Sequence, residues 1–109
     1  MIDIIELRHN LHRIPELAFR EFKTQALLED SILKILQNQP ENIWKLHYFK
    51  NSTGLLLEYT CAKTPYLLFR ADMDGLPITE NTGVPYTSEH SGFMHACGHD
   101  VHLSVLMGL

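Results

Sequence analysis

The sequence predicts an α/β fold in one small domain. Three observations support this fold class: two amphipathic helical segments open the chain, the apolar pattern then shortens to the period of β-strands, and the last ten residues are apolar with helical spacing. Helices and strands that follow one another in this way are typical of α/β domains. The length of 109 residues, of which 45% are hydrophobic and 20% charged, fits a single globular domain.

Two helices are expected at the start of the chain. The segment Ile2–Ile14 carries apolar residues at three- and four-residue spacing, and Pro15 ends the pattern. The segment Phe19–Leu36 separates apolar residues from charged ones, and Pro40 lies in the polar stretch that follows. Each helix is therefore expected to pack one face against a core. The first apolar stripe consists of Ile4, Ile5, Leu7, Leu11 and Ile14.

Strands are expected after the second helix. The segments Ile43–Phe49 and Leu55–Thr60 are short and rich in aromatic or apolar residues, and the turn sequence NSTG between them predicts a hairpin. The segment Tyr66–Ala71 contains four consecutive apolar residues. Such a run favours a central strand of a parallel sheet, buried on both faces.

The rest of the chain is predicted to be a long loop and a helix. Glycines and prolines recur through Asp72–Ala96, which indicates a loop. The apolar segment Asp100–Leu109 is expected to be helical. No cap, polar tail or proline follows its pattern, so we expect the sequence to be cut within a helix.

Charge and cysteine content exclude several classes of protein. A net charge of −4, from 9 basic and 13 acidic residues, offers no basic surface to nucleic acid and no polybasic patch to a membrane. No apolar run approaches the ~20 residues that span a bilayer. Cys61 and Cys97 are too few for a disulfide framework, and acids at Asp3 and Glu6 oppose a signal peptide. A cytoplasmic protein is therefore predicted.

The segment Phe93–His102, FMHACGHDVH, is the strongest candidate for a functional site. It contains three of the seven histidines together with a cysteine and an aspartate. One interpretation is structural: Asp100 is the N-cap of the last helix and His102 lies at the surface. A second is a nucleophilic pair of Cys97 and His99, which requires the imidazole within hydrogen-bond reach of the thiol.

A metal site is the third interpretation of this segment. On an extended chain, His95, Cys97 and His99 project from one face, and thiolate and imidazole are good ligands for zinc and related divalent ions. Gly98 lets the backbone fold closely around an ion, and the following helix N-terminus favours a thiolate. The paired cysteines of a zinc finger are missing, so an open site with ligands from elsewhere is favoured over a closed structural one.

Two carboxylates follow the predicted buried strand. Asp72 and Asp74 lie two residues apart in RADMDGLP. Aspartates in this position either form a turn or orient a metal-bound histidine. Sites in α/β folds lie at the carboxyl ends of strands, so we expect Asp72 and Asp74 to lie close to Cys97 and His99.

Three motifs in order carry a family resemblance: LHRIPELAFREFKT (residues 11–24), RADMDGLPITE (70–80) and YTSEHSGFMHACGHDVHLSVLMG (86–108). Together they resemble the start of the N-acyl-amino-acid amidohydrolases. This is the hippurate hydrolase and indole-3-acetyl-amino-acid hydrolase branch of the aminoacylase/carboxypeptidase G metallopeptidase superfamily. The resemblance covers nearly the whole chain, and MHACGHD is its most specific part.

The resemblance implies a fold and a metal centre. Relatives have a zinc-peptidase-like, three-layer α/β catalytic domain with a mixed, mainly parallel sheet and an inserted lid; residues 1–109 would form the N-terminal part of that domain, without the lid. Two divalent ions are implied: zinc or manganese, with cobalt or nickel as alternatives. Cys97 would bridge both ions, His99 would bind one of them, and Asp74 would support the centre. The further supporting candidates are Asp72, Asp100, His102 and His95.

The chemistry implied by the resemblance is hydrolysis of an N-acyl amino acid or short peptide by a metal-activated water, with a glutamate as general base. That glutamate has no counterpart among the 109 residues, so the chain by itself is expected to be inactive. Three hypotheses stay open: part of an amidohydrolase, a non-catalytic remnant that binds metal weakly, and a small thiol-dependent or structural-zinc protein. The resemblance leaves homo-oligomers open for the complete protein.

Overall fold

The structure, a computed structural model, describes residues 1–61, 63–64 and 66–109. In these residues the elements follow the order α1 (Ile4–Arg13), α2 (Phe22–Leu36), β1 (Trp44–Tyr48), β2 (Leu55–Tyr59) and α3 (His99–Gly108). The predicted helices and hairpin are confirmed, with bounds shifted by a few residues. None of the described helices has the length and apolar character needed to cross a membrane.

Helix α1 begins at a conventional cap. The Asp3 carboxylate accepts hydrogen bonds from the backbone N–H groups of Ile5 and Glu6 at 2.9 and 3.0 Å, which satisfies two donors that have no partner inside the helix. Leu7 and Leu11 are buried, as the apolar stripe predicts. The buried face of α1 is narrower than the apolar stripe predicts, because Ile5 is 66% exposed.

Helix α2 is capped from a distance. Glu16 accepts hydrogen bonds from the Thr24 N–H at 2.7 Å and from the Thr24 hydroxyl at 2.8 Å, so a carboxylate of the preceding loop serves the first turn. Glu21, at the N-cap position, accepts instead from the Thr53 hydroxyl at 2.5 Å and ties the hairpin loop to the helix. Both carboxylates therefore fix how α2 meets its neighbours.

The hairpin β1–β2 is antiparallel, with Leu46 opposite Leu57 and Trp44 opposite Tyr59. The rings of Trp44 and Tyr59 lie 5.1 Å apart between centroids, a cross-strand aromatic pair of the kind that stabilises a sheet. This ladder is the only sheet in the described part of the chain.

The core lies where the three helices meet. Its buried members come from α1, α2 and α3, and α1 packs directly on α3. This packing places the amino-terminal turn of α3 beside α1 and beside the long loop that precedes it. The buried cluster consists of Leu7, Leu11, Leu28 and Leu103.

The prediction that Tyr66–Ala71 forms a central strand is wrong. Residues 66–71 form no ladder, and Tyr66, Leu67, Leu68 and Phe69 are 57–80% exposed. An apolar run is buried on both faces only when neighbouring strands flank it and helices cover it. The hairpin does not pair with this run, so its side chains remain at the surface. The mainly parallel sheet implied by the resemblance is likewise not formed by the described residues, where the one ladder is antiparallel.

Candidate metal centre

The long loop between residues 72 and 96 closes on itself. Leu76 and Met94 exchange two backbone hydrogen bonds, of 2.8 and 3.0 Å, in an isolated antiparallel bridge. Next to this bridge, the Gly75 N–H donates to the Glu16 carbonyl at 2.7 Å, and a Cβ at Gly75 would lie only 2.8 Å from the Pro15 Cβ. The bridge between Leu76 and Met94 brings Asp74 close to the start of α3.

His99 is held by Asp74 through one ring nitrogen. The Nδ1 atom lies 2.8 Å from the Asp74 carbonyl oxygen and 3.0 Å from its carboxylate Oδ1. Since both neighbours are acceptors, Nδ1 carries the proton, and the lone pair of the neutral imidazole is on Nε2. The predicted proximity of Asp74 and His99 is confirmed, and His99 is left with one nitrogen able to bind a metal.

Cys97 and Gly98 lead into α3. Cys97 is a free, exposed cysteine, and Gly98 occupies the N-cap position of the helix with φ of 77°, a left-handed conformation that favours glycine. The Gly98 carbonyl accepts from the N–H groups of Val101 and His102 at 3.1 and 3.0 Å. The thiol therefore directly precedes the N-terminus of α3.

Asp100 is not the N-cap that the structural interpretation expected. It is the second residue of α3 and only 1% exposed. Its Oδ2 accepts from Arg8 Nε at 2.9 Å and lies 2.7 Å from His12 Nδ1, whereas its Oδ1 is buried without a hydrogen-bond partner. The side chain points away from its own helix end because two basic groups of α1 hold it.

His12 joins two carboxylates in the interior. Its Nε2 lies 3.0 Å from Glu80 Oε1, while Nδ1 faces Asp100, and the ring is 4% exposed. Glu80 also accepts from the Ser88 N–H at 2.8 Å and from the Thr82 hydroxyl. Burial by itself would raise the pKa of Glu80, but the hydrogen bonds from Thr82, Ser88 and His12 outweigh it and lower the pKa below its ordinary value.

His95 lies inside the protein. It is 4% exposed, and neither ring nitrogen has a hydrogen-bond partner. Burial lowers the pKa of His95 because it disfavours the charged imidazolium, although the negative charge of Asp100 acts in the opposite direction. Cys97, by contrast, is exposed, and the expectation that His95, Cys97 and His99 project from one face stays a prediction.

The remaining candidates lie at the margin. Asp72 forms an ion pair with the exposed Arg70. His102 is exposed, with its ring centroid 6.0 Å from that of His99. Across residues 1–61, 63–64 and 66–109, no three histidine, cysteine, aspartate or glutamate side chains converge closely enough to hold a metal ion. Cys97 and His99 fit a metal by the chemistry of their donor atoms, but further ligands are needed.

Sequence reasoning missed Arg8 and His12, and it gave Glu80 no place beside Asp100. The available signal was the position of His12, which follows Leu11 on the apolar side of an amphipathic helix. A histidine buried there requires polar partners, because an unpartnered polar group in a core is costly. The pattern predicts that partners exist without identifying them.

A family profile and curated relatives match this chain. The profile described as Peptidase family M20/M25/M40 matches residues 68–109. The N-acetyldiaminopimelate deacetylases of Halalkalibacterium halodurans and Shouchella clausii are 47% and 48% identical to it, over 107 and 110 residues. These alignments cover 97% and 100% of the chain but 27% and 28% of the relatives, so the chain spans little more than a quarter of their length.

Solved structures share the fold. A dinuclear metal-binding peptidase of the M20 family from Bacillus subtilis matches with a TM-score of 0.81 and 32% identity, over 96% of this chain and 28% of that chain. A second structure, from methicillin-resistant Staphylococcus aureus, matches with a TM-score of 0.80 and 32% identity, over 96% of this chain and 26% of that chain. The predicted α/β fold class is confirmed.

Proposed function

We propose that this chain, whose residues 68–109 match the M20 peptidase profile, belongs to the catalytic domain of a metal-dependent hydrolase that cleaves the amide bond of N-acyl amino acids. The curated relatives are named as deacetylases of an N-acetylated amino acid, and the Bacillus subtilis structure is described as a dinuclear metal-binding peptidase. Assignment to the hippurate hydrolase and indole-3-acetyl-amino-acid hydrolase branch stays a prediction.

The contact between Asp74 and His99 Nδ1 is the observation that supports this proposal. A histidine that ligates a metal usually donates its other ring N–H to a carboxylate or a carbonyl, which fixes the tautomer and the ring direction. His99 Nδ1 has both kinds of acceptor, at 3.0 and 2.8 Å, from a single residue. Its Nε2 is therefore prepared as a ligand atom.

Cys97 supplies the second donor of the proposed centre. A thiolate just before a helix N-terminus is a soft, charged ligand that suits zinc and related divalent ions. In the two-ion arrangement that the resemblance implies, Cys97 and His99 would both serve as ligands. Bound ions of this kind lower the pKa of a water and polarise a carbonyl. Zinc or manganese is proposed, with cobalt and nickel as alternatives.

The general base of the proposed reaction does not come from the buried carboxylates. Glu80 already accepts hydrogen bonds from Thr82, Ser88 and His12, and Asp100 is held by Arg8 and His12. Neither is placed to take a proton from a water at Cys97 and His99. We therefore propose that the base and the remaining metal ligands lie in a part of the complete protein other than these 109 residues.

The test compares two cysteine substitutions in the complete protein. Cys97→Ser should lose metal and hydrolysis of N-acetyl amino acids together, because serine replaces a charged ligand with a neutral one. Cys61→Ser, also exposed and free, should keep both. Elemental analysis beside an amidase assay gives the result. If Cys97→Ser retains its metal but loses turnover, the thiol is a nucleophile and the metal proposal is refuted.

A non-catalytic chain with weak metal binding is the second candidate for these 109 residues. It is favoured by the absence of any convergent set of three metal-binding side chains in the described ranges. The 109-residue chain should show no hydrolysis with added zinc or manganese, measured by release of the free amino acid. Turnover would show that a residue within it acts as the base.

A further inference from the structure

A cluster of charged side chains joins α1 to the first turn of α3. It consists of Arg8, His12, Asp100 and Glu80, and we call it the α1–α3 clamp. Asp100 is its centre: Arg8 Nε and His12 Nδ1 lie 2.9 and 2.7 Å from the same carboxylate oxygen. Asp100 directly follows His99, so the helical turn that carries this carboxylate also carries the candidate ligand.

The clamp performs a task that an N-cap usually performs. Gly98 has no side chain, and no side-chain hydrogen bond caps α3. The orientation of the first turn must therefore be fixed in another way. A carboxylate buried to 1% exposure is stable only beside its partners, so the position of Asp100 is determined by the basic groups of α1.

His12 is the member of the clamp that connects three segments. Its two ring nitrogens face Asp100 in α3 and Glu80 in the loop, at 2.7 and 3.0 Å. A neutral imidazole donates from one nitrogen only, whereas an imidazolium donates to both carboxylates. With Arg8 and His12, the clamp places two basic side chains against the carboxylates of Asp100 and Glu80.

We propose that His12 is a positioning residue for the metal ligands: through Asp100 it sets the direction in which His99 and Cys97 face an ion. This inference rests on the proposed metal function. Both ring nitrogens of His12 already face carboxylates, so His12 is not itself proposed as a ligand. It acts through a single hydrogen bond to Asp100, and its bond to Glu80 only attaches the loop.

The test uses cobalt titration of the complete protein, with the thiolate-to-cobalt charge-transfer band as a signal specific to Cys97. Groups that orient metal ligands typically contribute ~10–100-fold to metal affinity, and we expect His12→Ala to weaken cobalt binding by about that factor. Wild-type affinity in His12→Ala would overturn the proposal. If His12→Ala does not fold, Arg8→Ala replaces it in the titration, because Arg8 also holds Asp100 but is partly exposed. It should likewise weaken cobalt binding.

Two conservative variants separate positioning from simple packing. In His12→Asn the amide nitrogen takes the place of Nδ1 and can donate to Asp100. In His12→Gln it takes the place of Nε2 and can donate to Glu80. The proposal requires that asparagine restores cobalt affinity and that glutamine does not. Equal recovery by both variants would reduce the role of His12 to filling space and refute the proposal.

A control variant and a metal-free measurement complete the test. Leu28→Ala removes a buried side chain of the same core without touching the clamp, so it should lower stability but leave the cobalt affinity of folded molecules unchanged. In metal-free protein, the amides of Val101 and His102 should exchange faster in His12→Ala than in Leu28→Ala, measured relative to global unfolding. Slow exchange at both amides in His12→Ala would contradict the clamp.

The same titration distinguishes this proposal from the function on which it rests. If wild type and Cys97→Ser give the same cobalt spectrum, the metal function fails, and the positioning role fails with it. If Cys97→Ser abolishes the band while the His12 variants match wild type, only the positioning role is refuted.

Discussion

Replacing Asp74 by alanine tests how firmly His99 is prepared for a metal. Asp74 offers two acceptors to His99 Nδ1, its backbone carbonyl at 2.8 Å and its carboxylate at 3.0 Å. Alanine removes the carboxylate and keeps the carbonyl. The substitution therefore deletes the ion-pair contact of the carboxylate and keeps the hydrogen bond to the carbonyl, which leaves the tautomer of His99 unchanged, so we expect a partial loss of metal affinity.

The size of this loss follows from the geometry. An ion-pair contact between partly exposed groups contributes ~0.2–1 kcal/mol. The side chains of Asp74 and His99 are 30% and 18% exposed, so water screens the pair only in part. The upper end of the range applies, and about 1 kcal/mol corresponds to roughly fivefold weaker binding.

Competition with a zinc-binding dye on the complete protein measures this affinity. Asp72→Ala is the matched control, because Asp72 lies two residues away and pairs with Arg70 at the surface. It should leave zinc affinity unchanged. Wild-type affinity in Asp74→Ala would refute the role of the carboxylate. A loss well beyond ~100-fold would exceed the usual effect of an orienting group and make Asp74 a direct ligand.

Three further substitutions test the fold around the site. Gly75→Ala places a Cβ 2.8 Å from Pro15, so urea unfolding should show a loss of ~1–3 kcal/mol. Leu11→Ala empties a fully buried position and should cost ~2–5 kcal/mol by the same measurement. The folded pKa of Glu80 lies below its ordinary value, so the unfolded chain binds the proton first. Stability should therefore fall as the pH drops from the ordinary glutamate pKa through the lowered one, and less steeply in Glu80→Gln; equal slopes would contradict the lowered pKa.

Local signals were sufficient for the helices and the hairpin. Asp3 before an apolar stripe and the turn at residues 51–54 act within a few residues, and the structure places element ends close to them. The segment Tyr66–Ala71 shows where local reasoning stops. Its composition predicts burial, but burial depends on strands and helices that pair with it and cover it, and these are not formed by the described residues.

The same distinction between local signals and long-range contacts applies to the candidate site. The closeness of Asp74 and His99 could be predicted from an expected sheet edge, but in the described residues the Leu76–Met94 bridge joins the two segments instead. The clamp could not, since its bonds join residues 68 and 88 positions apart and His12 lies in a helix whose pattern concerns packing. What the sequence did contain was a histidine on the apolar side of α1, whereas only the structure shows that Asp100 does not cap α3. Each is costly when buried by itself, and together they stabilise one another. When two helices each carry a buried polar residue, those two residues are therefore candidates to be hydrogen-bond partners. In this chain the partners are His12 and Asp100, and they meet next to the proposed metal ligands.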